Sequence, residues 1–136
     1  MVIMAVDLGK ARTGIAASDK TEYLASPVEV ISEHNREKLL VKVSDVARRI
    51  KAELIVVGLP RNMDGSEGDS ARSAREFAQN LSDELSTEVV MWDERCTTIT
   101  AHGYLNNTNT RGKKRKAVID EVAATVILQS FLDSRR

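Results

Sequence analysis

Residues 1–14 read MVIMAVDLGKARTG, and their pattern sets the centre of the fold. Val2, Ile3, Met4, Ala5 and Val6 form an unbroken apolar run that ends on Asp7. A short continuous run of this kind predicts a strand buried on both faces, in the middle of a sheet. A carboxylate at the end of such a strand is costly to desolvate and needs hydrogen bonds, a cation or a metal to offset the cost. Leu8 to Arg12 then makes a tight polar turn, and Thr13 to Ser18 predicts a second strand. A central strand thus delivers one acid to the mouth of the sheet, beside a glycine-bearing turn. Taken alone, Asp7 reads equally well as a turn residue bonded to nearby backbone.

Moving outward, Asp19 and Lys20 make a turn and Glu22 to Ile31 predicts a third strand. Pro27 lies inside it, so this strand belongs at an edge or carries a bulge. Short polar turns cannot join parallel strands, so the three form an antiparallel meander. The pattern then changes: Leu39, Leu40, Val43, Val46, Ala47 and Ile50 recur at helical spacing. Ser32 or Asn35 would cap that helix, and Arg48, Arg49 and Lys51 suit its last turn. Leu54 to Val57 predicts a second buried strand, ended by Gly58-Leu59-Pro60, with a loop over Arg61 to Gly68. From Asp69 a helix presents Ala71, Ala74, Phe77, Ala78, Leu81 and Leu85 on one stripe. Glu88 to Trp92 predicts the fifth strand, which runs into Asp93-Glu94-Arg95. Thr97 or Thr98 would cap a short helix through Ala101, Tyr104 and Leu105. Asn106 to Lys116 reads as a basic stretch that begins as a mobile loop, and Ile119 to Phe131 as a last helix. The order predicts an α/β fold, a five-stranded mixed sheet (βββαβαβα) with helices on its faces.

The 136 residues predict one domain, 1–136. With 42% hydrophobic and 29% charged residues the composition is that of a soluble globular chain. Twenty basic and twenty acidic residues cancel, so a nucleic-acid partner must be argued from local clustering, not from bulk charge. Cys96 is the only cysteine and reads as a small packing residue; His34 and His102 lack metal-ligand spacing. The N-terminal apolar run is too short to span a membrane and lacks a signal-peptide layout, which points to the cytosol.

In open α/β sheets the ligand crevice lies off the carboxyl ends of the parallel strands. Asp7 ends the first strand, Asp93 and Glu94 end the fifth, and Asp120 lies in the first turns of the last helix. Asp120 shares a helix face with Ala123, Ala124 and Ile127, whereas Glu121 points toward Thr125 and Leu128, a more mixed face. Three acid sites at one cleft would repel one another unless something positive sits between them. Carboxylate oxygens suit hard cations such as Mg2+ or Mn2+. Two such ions about 4 Å apart can activate a water and stabilise the leaving oxygen of a phosphodiester. For the substrate side, Arg111, Lys113, Lys114, Arg115 and Lys116 stand just before the helix that carries Asp120. Arg12 and Arg95 adjoin acid sites and suit bidentate contacts to phosphate. Asp64 is a weaker candidate, because Asp-Gly is a common turn pair.

These residues resemble the YqgF (RuvX-like) family, described as pre-16S ribosomal RNA nucleases and as Holliday junction resolvases. The resemblance is carried by Asp7-Leu8-Gly9 with Arg12 to Ala16, and by Gly58-Leu59-Pro60 through Asn62-Met63-Asp64-Gly65. It continues in Asp93-Glu94-Arg95 with Thr97 and Thr98, and in Lys113-Lys114-Arg115 followed by Asp120 and Ala123-Ala124. It implies a ribonuclease H-like fold in which Asp7, Asp120 and one or both of Asp93 and Glu94 bind divalent metal. Strand alternation sends Asp93 and Glu94 to opposite faces, so either could be the inward acid. The implied activity is a metal-dependent endonuclease on precursor 16S rRNA, with ribosomal particles as partners; branched DNA is the alternative substrate. A monomer or weak homodimer is expected, and a clean two-fold dimer would favour branched DNA. An ATPase reading of Asp-x-Gly would need a second lobe, for which the chain is too short. A non-catalytic nucleic-acid or ribosome-binding module would tolerate loss of Asp7 but not of Lys113 and Lys114.

Overall fold

The computed structural model describes residues 1–94 and 112–135, with side chains of the last helix from Val122 onward. Its strands are β1 (Ile3–Asp7), β2 (Arg12–Ser18), β3 (Ala25–Ser32), β4 (Leu54–Leu59) and β5 (Glu88–Asp93). Its helices are α1 (Arg36–Ile50), α2 (Asp69–Leu85) and α3 (Gly112–Ser134). The sheet order is β3-β2-β1-β4-β5, with β1 in the middle as its apolar run requires. β1 pairs antiparallel with β2 and parallel with β4, and β4 pairs parallel with β5.

The third strand lies at an edge and carries the irregularity that Pro27 demands. Ile15 opposes Glu29 while the next residue, Ala16, opposes Pro27, so one residue of β3 is bulged out. This strand starts at Ala25 and not Glu22, because Glu22 has a φ of 60° and belongs to the turn. Asn35, not Ser32, caps α1: its side chain accepts from the Lys38 amide at 3.0 Å.

β3, β1, β4 and β5 run in one direction, and α1 and α2 are both crossovers that advance the same way across the sheet. Right-handed crossovers therefore put both helices on one face. Leu39 and Val43 of α1 and Phe77 and Leu81 of α2 pack there against Met4, Val6, Ile55 and Val57. The opposite face belongs to α3, whose Ala124, Ile127, Leu128, Phe131 and Leu132 cover Ile3, Ala5, Leu54 and Val56. Trp92 meets Phe131 edge-on, ring centroids 5.5 Å apart. No helix among the described residues is long and apolar enough to cross a membrane.

α3 begins at Gly112, so Lys113 to Lys116 belong to the helix and not to a loop preceding it. Leu128 is fully buried against the sheet, not on a mixed face. The buried stripe of α3 is therefore broader than expected, and its phase no longer separates Asp120 from Glu121. The predicted short helix from Thr97 to Leu105 lies outside the described residues, as do Cys96 and His102.

Candidate active site

Strand alternation sorts the acids onto the two faces of the sheet. On β1, Ile3 and Ala5 face α3, so Asp7 does too. On β4, Leu54 and Val56 face α3, which gives Gly58 the same side. On β5, Val90 and Trp92 face α3 while Val89 and Met91 face the other helices. Glu94 follows the first pair and Asp93 the second.

The register aligns these positions across three strands. Ala5 is level with Val56, and one alternation further brings Asp7 level with Gly58; Gly58 in turn pairs with Trp92. β1 and β5 are separated by β4, so their backbones stand about 10 Å apart. The Glu94 side chain closes that gap by lying over Gly58. A Cβ on Gly58 would sit 2.8 Å from Cδ, 2.9 Å from Cγ and 2.9 Å from Oε1 of Glu94. At the far end of its reach Glu94 hydrogen-bonds Asp7.

Both carboxyls are partly buried, and their proton affinities report it. Burial pushes the Glu94 carboxyl up from its ordinary range to about 9, helped by the hydrogen bond and charge of Asp7 and by the nearby charge of Asp93. Burial also raises the Asp7 carboxyl, against the opposing effect of its bond to Glu94. The pair thus holds a proton between its oxygens at neutral pH.

Asp93 is turned away. Its carboxylate stands 3.8 Å from the Arg61 guanidinium on the α2 side of the sheet. Arg61 also reaches Glu67 at 3.6 Å, and Glu67 is held by Arg75 through two bonds of 2.6 and 2.8 Å. Asp64 proves to be a turn residue, accepting from the Ser66 amide at 2.9 Å and the Ser66 hydroxyl at 2.6 Å. Arg12 opens β2 at the same rim as Asp7, and the alternation through Gly14 and Ala16 puts it on the α3 side. The turn between them is tight: a Cβ on Gly9 would fall 2.0 Å from the Arg12 carbonyl oxygen. Arg36 Nη1 donates to the Gly9 carbonyl at 3.0 Å and ties the turn to α1.

Asp120 lies on α3, but its side chain is outside the described residues, as are those of Lys113, Lys114, Arg115 and Lys116; Arg95 and Arg111 are outside them entirely. Among the described residues no three His, Cys, Asp or Glu side chains gather into a metal-binding group. The Asp7–Glu94 pair alone still has the chemistry of half a hard-cation site: two carboxyl groups, no histidine or thiol, and a shared proton that a divalent ion would displace. Sequence reasoning missed Gly58 and Arg61. The signal available for Gly58 was a glycine in an otherwise branched apolar strand, which marks a close approach.

Comparison with known proteins bears on the family and the fold. The family model described as "RuvX: Holliday junction resolvase" matches residues 1–134. The chain belongs to the RuvX family. A relative from Bacillus mycoides (strain KBAB4), named "Putative pre-16S rRNA nuclease", is 41% identical over 99% of this chain and 100% of its own length. A relative from Bacillus thuringiensis (strain Al Hakam) with the same name is 40% identical over the same shares of the two chains. Among solved structures, RuvC of T. thermophilus in complex with a Holliday junction substrate superposes with a TM-score of 0.64 at 14% identity, over 99% of this chain and 95% of that one. That likeness places this RuvX chain among ribonuclease H-like folds, and the family makes it a nuclease.

Proposed function

We propose that this RuvX protein is a divalent-metal-dependent endonuclease of the cytoplasm that processes the 5′ end of precursor 16S rRNA. The observation that carries the metal reading is the meeting of Asp7 and Glu94 across Gly58. Two partly buried carboxyls that share a proton when alone form a site poised to exchange that proton for a cation. Mg2+ or Mn2+, when bound, would supply Lewis acidity and a water of lowered pKa. Asp7 and Glu94 would hold it, with Asp120 as the third acid from α3. Asp93, engaged by Arg61, would act only through its charge.

The basic residues serve the polyanion. Arg12 at the rim of Asp7 would orient a phosphate, and Arg95, Arg111, Lys113, Lys114, Arg115 and Lys116 would hold its neighbours. Precursor rRNA as substrate is supported by the name of the full-length relatives at 40–41% identity. Branched DNA is the second reading, favoured by the family's own description. Wild type, Asp7→Asn and Asp120→Asn should be compared on labelled precursor RNA and a four-way DNA junction, with and without Mg2+. Both variants should still bind but no longer cut. Equal cutting by wild type and variants would overturn the reading, and cutting of the junction by a two-fold dimer would replace RNA by DNA.

A further inference from the structure

We infer that Gly58 is a positioning residue of the nuclease site: its missing side chain is the channel through which Glu94 crosses β4 to reach Asp7. This rests on the metal reading of the Asp7–Glu94 pair, and its test separates the two.

Glycine in a strand needs a reason, since it weakens the strand and offers nothing to pack. Conformation does not supply one here. Gly65 is the one described glycine with a positive φ; Gly58 is ordinary extended backbone that any residue adopts. It is flanked by branched residues, Val56 and Val57 before it and Leu59 after it, all of them buried. What Gly58 has instead is a neighbour. Three atoms of Glu94 lie within 2.9 Å of where its Cβ would be, closer than carbon packing permits. These atoms are the end of a flexible side chain and can swing aside, but Oε1 and Cδ belong to the group that bonds Asp7, so they move only by giving up that bond. A methyl group on Gly58 would therefore lift the glutamate off the sheet and part the two carboxyls. The consequence reaches the choice of acid. β5 can supply a carboxylate to the acid on β1 only because β4, between them, presents no side chain at that level.

The experiment is a double-mutant cycle of Gly58→Ala and Glu94→Ala, read by thermal unfolding in EDTA and by Mn2+ binding. Alone, Gly58→Ala should lower Tm by about a degree or two and weaken Mn2+ binding about 10–100-fold, the usual effect of disturbing a ligand's orientation. In the Glu94→Ala background the same change should leave Tm level or raise it, since nothing remains to be struck. If Gly58→Ala does not fold alone but folds with Glu94→Ala, that rescue also supports the inference. Equal Tm changes in the two backgrounds would overturn it. If the unfolding cycle shows coupling but Mn2+ binds Asp7→Asn and Gly58→Ala as it binds wild type, the channel stands and the metal reading falls.

Discussion

Replacing Glu94 by glutamine should make the metal-free protein's stability nearly independent of pH across the neutral range. In the unfolded chain Glu94 loses its proton near 4.5, whereas in the fold it keeps it until about 9. Between those values the folded state binds the extra proton. Raising the pH therefore favours unfolding, and the stability present below about 4.5 is lost on the way to 9. One fully held proton gives a slope of about 1.4 kcal/mol per pH unit, hence at most about 3 kcal/mol between about pH 6 and pH 8. Glu94 is only partly buried, so solvent takes up some of this and a loss of about 1–2 kcal/mol is expected. Glutamine keeps the size of the side chain and a donor toward Asp7 but does not titrate. Urea unfolding followed by circular dichroism in EDTA, at several pH values, measures both proteins. Parallel pH profiles for wild type and Glu94→Gln would refute the argument that this carboxyl holds the proton.

Cation binding should expel that proton, so Mg2+ titrated at neutral pH should release about one proton per site, seen as a buffer-dependent heat in calorimetry. Asp93→Asn should retain most cleavage, since its carboxylate is turned away from the Asp7–Glu94 pair and its ion pair with Arg61 is 3.8 Å long. Glu94→Gln should cost cleavage more than the 10–100-fold typical of a residue that merely orients a ligand. The double change of Lys113 and Lys114 to alanine should lower the slope of log affinity against log salt by about 1.5, if each contacts one phosphate. Leu128→Ala should cost about 2–5 kcal/mol in chemical denaturation, as its side chain is fully enclosed between α3 and the sheet.

Much of the architecture can be read from residue pattern because burial writes it there. The run Val2 to Val6 could only be a central strand, and Pro27 could only sit where a ladder bond is dispensable. What pattern missed was written in contacts. Gly58 and Pro60 look like strand breakers, so the pattern predicts that β4 stops at Val57. The strand continues to Leu59 because Gly58 and Leu59 pair with Trp92 and Asp93 of β5, and the glycine is there for a side chain 36 positions away, which no local rule sees. Asp93 and Glu94 were indistinguishable until the faces of the sheet were assigned to helices. Alternation says they diverge, but only the shared side of α1 and α2 says which one faces α3. Nor could the pattern show that Leu128 is as deeply buried as Ile127, and so the choice of Asp120 over Glu121 rests on the family resemblance.

Trp92 is the chain's single tryptophan, two residues before Glu94 and edge-on to Phe131. Its indole nitrogen is enclosed and donates no hydrogen bond among the described residues. An indole so placed responds to any shift in the local field or in the seating of α3. Intrinsic fluorescence should therefore act as a built-in gauge of site occupancy, following ion or phosphate uptake without a label and without waiting for a cut.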